Sequence, residues 1–358
     1  MDRRTFLKRT GAGALVLSTG LPNGLFAEDL LNTSTENSTV SLVTDNLSVN
    51  KDGKIDAARV KQMVEKALAL ATGKEKSADA WQKIFYDYKE GQTIGLKVNV
   101  TNLKLPTHPE VTYAITESLI AAGIKPSNIL IWDKLDASFL KTGYKINDSN
   151  EGVRCFGHDH KKIGFDKNIK ANIPSIGMEL NLSRLLTEMS DYIINVPVLK
   201  NAVNPASANA TKAGVTLSLK SAFGYIPLMD FAYLPPVEGL DPIKVIENMH
   251  ARNGNPQIAE LNNSPVIKGK TRFVILDGLL GLYEGGPFGP PQWINNQILA
   301  SADLVAIDTI GLNIIDKKAS ELGKPLSSPF AGHIASAAKL GLGINDIERI
   351  TVREHIVA

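Results

Sequence analysis

The 358-residue chain has a single cysteine, Cys155. No disulfide can form within it, and neither a four-cysteine iron–sulfur cluster nor a cysteine-based structural zinc site can be built. Aromatic residues make up only 6% of the chain and do not interleave with basic runs, so a stacking platform for RNA is missing. The formal net charge is small, +2. Arg3, Arg4, Lys8 and Arg9 against Asp2 account for +3 of that, which leaves the remainder near −1. Such a balance offers no basic field to nucleic acid or to anionic lipid. Beyond residue 27 no run is long and apolar enough for a transmembrane helix, which takes about 20 residues. A Walker A loop, a G-x-G-x-x-G turn and a repeat of fixed period are all absent.

What the chain does have begins at its first residues. Arg3-Arg4-Thr5-Phe6-Leu7-Lys8 precedes a weakly apolar run from Gly11 to Leu21 and the small residue Ala27. That order matches a twin-arginine export signal. It predicts a bacterial protein carried folded by the twin-arginine translocase to the periplasm or beyond. Leu25 stands where the cleavage site wants a small residue, so an uncleaved anchor is the alternative. The expected organisation is a signal at 1–27, a linker at 28–50 and one large domain at 51–358. Hydrophobic content of 43% and charged content of 21% suit a globular fold for the latter.

Residues 28–47 are rich in Asn, Ser and Thr and show no period, which reads as a linker. Val60, Met63, Val64, Ala67 and Leu68 then recur at helical spacing, with Asp56 as a cap and Gly73 as a stop. The stretch from Asn50 to Asp56 looks like a calcium loop, but its register puts Arg59 where a bidentate glutamate is needed, so a turn is expected. Strands are predicted at 93–100, 128–133, 191–196, 271–276, 297–300 and 347–352, with helices at 108–122, 302–316 and 330–340. The alternation predicts an α/β fold: a single large domain with a doubly wound, mostly parallel sheet and helices on both faces.

In such sheets ligands bind beyond the carboxyl ends of the strands. That rule collects Asn99, His108, Asp133, Asn195, Lys200 and Asp277. His108 reads either as an exposed residue beside a Thr107 cap, or as an imidazole whose pKa the helix end lowers. Lys200 and Lys220 follow apolar segments, where an ammonium needs an anionic partner unless it snorkels to the surface. Together they suit a small anionic ligand, a carboxylate or phosphate. The Gly285-Gly286-Pro287-Phe288-Gly289-Pro290-Pro291 loop lets backbone approach a ligand closely. Asp308 lies on a mostly apolar helix, as a loop cap or a catalytic carboxylate. Cys155, His158 and His160 are metal donors at short spacing within one loop-like stretch; no metal site and no iron–sulfur cluster is expected, and the cofactor is left open.

The segments LKVN, THPEVTYAITESLIAAG, ILIWD, DYIINVPVLK, GVTLSLKSAFG, VILDGL, GGPFGPP and ILASADLVAID, in this order, resemble the domain of unknown function 362 family over residues 55–352. The family pattern K-N-x-x-G reads here as Lys220-Ser221-Ala222-Phe223-Gly224. Asn201 stands where a histidine often follows the first lysine. His250 resembles a later family histidine, which adds it to His108 as a candidate proton carrier. The ferredoxin-like cysteine segment of some members is missing. The resemblance implies no defined activity. The expectation is an exported enzyme acting on a small anion, or a carrier that only binds it.

Overall fold

The computed structural model describes residues 37–203, 213–228, 237 and 239–357. The expected signal and the first part of the expected linker lie outside the described residues. The elements run β1 (Ser38–Thr44), α1 (Ala57–Thr72), α2 (Ser77–Ile84), β2 (Ile94–Val98), α3 (Pro109–Ala121), β3 (Ile129–Asp133), α4 (Asp136–Lys141) and β4 (Arg154–Gly157). Next come β5 (Phe165–Ile173), β6 (Met178–Ser183), α5 (Arg184–Thr187), β7 (Tyr192–Val196), β8 (Val198–Ala202) and β9 (Gly214–Val215). A 3-10 turn at Lys220–Tyr225 leads to α6 (Pro242–His250), α7 (Gln257–Asn262) and α8 (Pro265–Lys270). The chain closes with β10 (Thr271–Leu282), β11 (Trp293–Ser301), α9 (Leu304–Glu321), α10 (Gly332–Lys339) and β12 (Ile350–Ile356).

The main sheet has the order β12-β1-β11-β10-β7-β2-β3-β4, and β8 pairs with β10 and β9. Along that row only β11 runs against its neighbours. The fold is therefore α/β with a mostly parallel sheet in one domain. β2, α3 and β3 form the expected βαβ unit, with Ile94 opposite Ile129. Both faces of the sheet are covered. Ile129 and Ile131 join one apolar cluster with residues of α1, α2 and α3, while Leu130 and Trp132 join another with residues of α7, α9 and α10. Alternate residues of one strand thus feed opposite cores, which is why these strands read as unbroken apolar runs. Among the described residues no helix is long and apolar enough to cross a membrane.

The linker expectation needs correction. Ser38–Thr44 is an inner strand, antiparallel to β11 and parallel to β12. Val40 and Val43 are fully buried, on opposite faces. Its polar residues are absorbed locally: Ser41 Oγ donates to Ala67 O at 2.8 Å. Serine and threonine gave the segment a loop-like composition although Val40, Leu42 and Val43 fit a strand. β11 is also longer than expected, and β10 runs on past Leu276 to Leu282.

The start of α1 follows the sequence. Asp56 accepts from Ala58 N and Arg59 N, and Gly73 closes the helix at φ 68°. Asn50 Oδ1 accepts from Asp52 N and Lys54 N, so the calcium-like stretch is a side-chain-stapled turn. Arg59 instead pairs with the buried Asp45 at 2.9 Å.

Val40→Ala removes two buried methyl groups and should cost about 2 kcal/mol, read from urea unfolding. An unchanged midpoint would mean that residues 38–44 do not belong to the sheet.

Candidate functional site

Because β2, β3, β7, β8 and β10 are parallel, their carboxyl ends open on one edge. The residues gathered there fall into three bonded groups.

The first is an ion pair in the sheet. Lys97 Nζ donates to Asp133 Oδ1 at 2.8 Å and to Val98 O at 2.6 Å, with both side chains 2% exposed. Asp133 Oδ2 accepts from Val100 N at 2.7 Å. Burial lowers the Lys97 pKa, and the Asp133 charge and hydrogen bond oppose that. The 3-10 turn closes over this pair at Gly224, where a Cβ would lie 2.5 Å from Lys97 Cε. A side chain there would push the Lys97 end group away from Asp133. Lys97 was missed by the sequence reading, although it carries the same signal as Lys200: one lysine inside an apolar strand.

The second group joins β8 to β10 and α3. Lys200 Nζ donates to Asn99 Oδ1 at 3.0 Å and to Leu105 O at 3.1 Å. Burial pushes its pKa down to about 7, against the attraction of Asp133 and Asp277 and with the repulsion of Lys97. Asp277, fully buried, accepts from both the backbone N and the Nδ1 of His108 through Oδ2, at 2.8 and 2.7 Å. Its Oδ1 accepts from Leu279 N. Burial alone would lower the His108 pKa, but the carboxylate beside it raises the value above the ordinary one. The expected lowering by the helix end is therefore corrected: an ion pair outweighs the dipole. Thr107 is not the cap either. His108 takes that position, and Thr107 Oγ1 accepts from Asn99 N and donates to Val196 O.

The third group surrounds Lys220, which is 6% exposed. Its Nζ has no hydrogen-bond partner among the described residues and lies 5.8 Å from the Phe223 ring centroid. The same ring meets His250 edge-on at 4.9 Å. His250 Nδ1 donates to Ile246 O at 2.8 Å. Burial, then the charge of Lys220, depresses His250 and the fully buried His333 to about 3. Lys220 itself falls to about 7, through burial and then the charges of Lys134 and Lys200. Both imidazoles are therefore neutral at physiological pH. His333 was also missed; its sequence context, Gly332-His333-Ile334-Ala335, carries no signal.

Asn195 and Asp308 serve the backbone that presents Lys220. Asp308 Oδ1 accepts from Ser218 N and Oγ, and its Oδ2 from Leu219 N. Asn195 Nδ2 donates to Ser218 O, and Asn262 Nδ2 to Leu219 O. Three side chains thus fix the two residues before Lys220. Burial pushes Asp308 up to about 7 in spite of those bonds. Its oxygens are used as a loop anchor, the ordinary alternative for this position.

The Gly285–Pro291 loop is latched from two sides. Asn102 Nδ2 donates to Pro287 O and Gly289 O, and Gly286 N donates to Asn201 Oδ1. A Cβ on Gly286 would collide with the Asn201 carbonyl, so the loop reaches the residue after Lys200 only as glycine. Gly285, at φ +74°, has open space around its Cβ position.

Cys155, His158 and His160 do not converge on one ion. Burial pushes the Cys155 thiol up to about 12. His158 Nε2 bonds Ser183 Oγ, while His160 lies between Asp136 and Asp148. Among the described residues no three His, Cys, Asp or Glu side chains form a group that could hold a metal ion.

The family model described as Domain of unknown function (DUF362) matches residues 94–313, more than half of the chain, and the chain belongs to that family. The match spans Lys97, Asp133, Lys200, Lys220, Asp277 and Asp308; His333 lies beyond it. A search of curated proteins finds no significant match.

Asp133→Asn strands the Lys97 ammonium in the sheet and should destabilise the fold by about 3–5 kcal/mol. Adding Lys97→Met should recover a large part of that in chemical unfolding. Equal losses in the single and double variants would show that the pair does not act as a unit.

Proposed function

We propose that this member of the DUF362 family is an enzyme that holds a small anion, a carboxylate or a phosphate, between Lys200 and Lys220. The observation that supports this is the Lys220 ammonium, buried without a hydrogen-bond partner among the described residues. Burying a charge unpaired costs several kcal/mol. Its pKa near 7 fits that cost, and a bound anion would remove it.

His108 supports the catalytic half of the reading. Its Nδ1 is held by Asp277, which leaves Nε2 for proton exchange. The Asp277 carboxylate raises its pKa, which favours the protonated ring over an ordinary histidine, so the group is set to exchange a proton through Nε2. Lys200, pushed down to about 7 and cradled by two neutral oxygens, changes charge near neutrality. A carrier needs only the two cations; an Asp-held imidazole within reach of the Lys200 charge favours chemistry. Asp308 stays outside the reaction in this reading, as the anchor of the Lys220 loop. His250 lines the anion's seat as a neutral ring.

We also propose export through the twin-arginine pathway to a periplasmic or equivalent compartment, on the motif from Arg3 to Lys8 alone. Arg3→Lys with Arg4→Lys should leave folded precursor in the cytoplasm. Normal export of that variant, followed by fractionation and blotting, would refute the assignment.

For the anion, the sign of the pH dependence follows from the lysines. Each has a folded pKa of about 7 against an ordinary 10.5. Between those values the unfolded chain holds the proton that the folded chain has lost, so stability of the free protein should rise with pH. Anion binding needs the charged lysines, so the thermal shift given by small anions should fade above about pH 7. Near neutrality the shift should correspond to about 2.7 kcal/mol at a hundred times the dissociation constant. Lys220→Met should abolish it while the free protein melts no lower than wild type. His108→Gln should keep the shift and lose turnover of whichever metabolite is consumed in untargeted profiling. Unchanged turnover in that variant would remove His108 from the chemistry, and no metabolite consumed by the wild-type protein would leave only the carrier.

A further inference from the structure

His333 stands in the first turn of α10, fully buried, and neither ring nitrogen has a hydrogen-bond partner among the described residues. The residue before the helix is Ala331, which offers no side chain to the first-turn N–H groups. The helix end is tied to the edge that carries Lys200. Asn201 Nδ2 donates to Ser327 Oγ at 2.7 Å, and a Cβ on Gly214 of β9 would lie 2.7 Å from Ala331 N. On the other side Asn255, five residues after His250, accepts from Ser336 Oγ and packs on Gly332. Lys220 and His250 meet over the one Phe223 ring, and the charge of Lys220 reaches His333. Next to Lys220, Ser221 Oγ is also buried and has no hydrogen-bond partner among the described residues.

We infer that the anionic group is a phosphate, seated between Lys220, the His333 ring and the first turn of α10. This rests on the anion reading above and narrows it. The donors exceed what a carboxylate can use. An ammonium brings three N–H groups, a neutral imidazole one and a hydroxyl one, and the start of α10 adds the backbone N–H groups of Gly332 and His333, since that of Ile334 already donates to Ala331 O. Two carboxylate oxygens cannot take them all, whereas the tetrahedral oxygens of a phosphate can. A helix start with a lysine beside it is a known way to hold phosphate, since its dipole and free N–H groups both favour negative charge. His333 supplies its donor uncharged, so it adds no repulsion to Lys220. Lys200 already has Asn99 and Leu105 as partners and faces His108 and Asp277, so the rest of the ligand lies on that side.

The test uses the full chain with inorganic phosphate, acetate and malonate as probes, read by thermal melting and by 31P NMR line width. Phosphate is expected to raise the melting temperature by several degrees and to broaden its resonance, with little effect from either carboxylate. Lys220→Met and His333→Leu should remove both signals. His333→Gln, which keeps one side-chain N–H, should restore part of them and controls for folding defects. Lys200→Met should weaken the response without removing it. A shift by acetate or malonate that depends on Lys220, with none by phosphate, would overturn the phosphate assignment and leave the anion site standing. A phosphate response unchanged in both His333 variants would place the group away from α10 and overturn the seat. No response to any of the three probes would remove the site altogether.

Discussion

The scarcity of negative charge at the carboxyl edge of the sheet governs the rest of the molecule. Lys97, Lys200 and Lys220 are all buried there, and the buried carboxylates that act on the first two are Asp133 and Asp277. Each carboxylate is already committed. Asp133 holds Lys97 and the Val100 amide; Asp277 holds His108 twice and the Leu279 amide. Lys200 is left with neutral oxygens, and Lys220 with no hydrogen-bond partner among the described residues. The cations are thus graded from fully paired to unpaired across a few strands. A group with nothing to gain from the protein has most to gain from a ligand.

Much of the surrounding structure exists to hold that imbalance in place. Thr107 shows how. It ties the end of β2 to β7 through one hydroxyl, and its own carbonyl accepts from the Tyr144 hydroxyl at 2.8 Å. His108 is delivered to Asp277 by this knot. Lys220 is delivered by Asp308, Asn195 and Asn262, whose polar atoms satisfy backbone groups that a loop turned away from water would otherwise leave bare.

How much of this the sequence shows depends on whether the partner is local. β3 and β7 are legible because burial on both faces makes their residues apolar without a break. β1 is not, because its edges are satisfied by β11 and β12, some 250 and 310 residues on, and serine and threonine break its apolar residues Val40, Leu42 and Val43. Lys200 and Lys220 stand out as charges in apolar surroundings, and Lys97 obeys the same rule. The direction of the His108 shift was misjudged because its main partner, Asp277, is 169 residues away, and the reading weighed only the helix end. His333 could not be found at all: its meaning comes from the lysine it meets, not from its neighbours in the chain.

β1 also sets a clock. It is made among the first elements, yet Ser38 pairs with Ile350 and Ser41 with Ala300. At about 5–20 residues per second, a ribosome takes about 15–60 s to supply the last of these partners. Until β11 is made both edges of this inner strand lack their mates, and until β12 is made one still does, so the sheet cannot close in the order in which it is written. Pairings at such sequence separation also fold slowly once synthesis ends. A chain stopped short of β12 would therefore keep an open, apolar-flanked edge, an invitation to pair with another copy. The last dozen residues decide whether the first strand is an inner one or a liability.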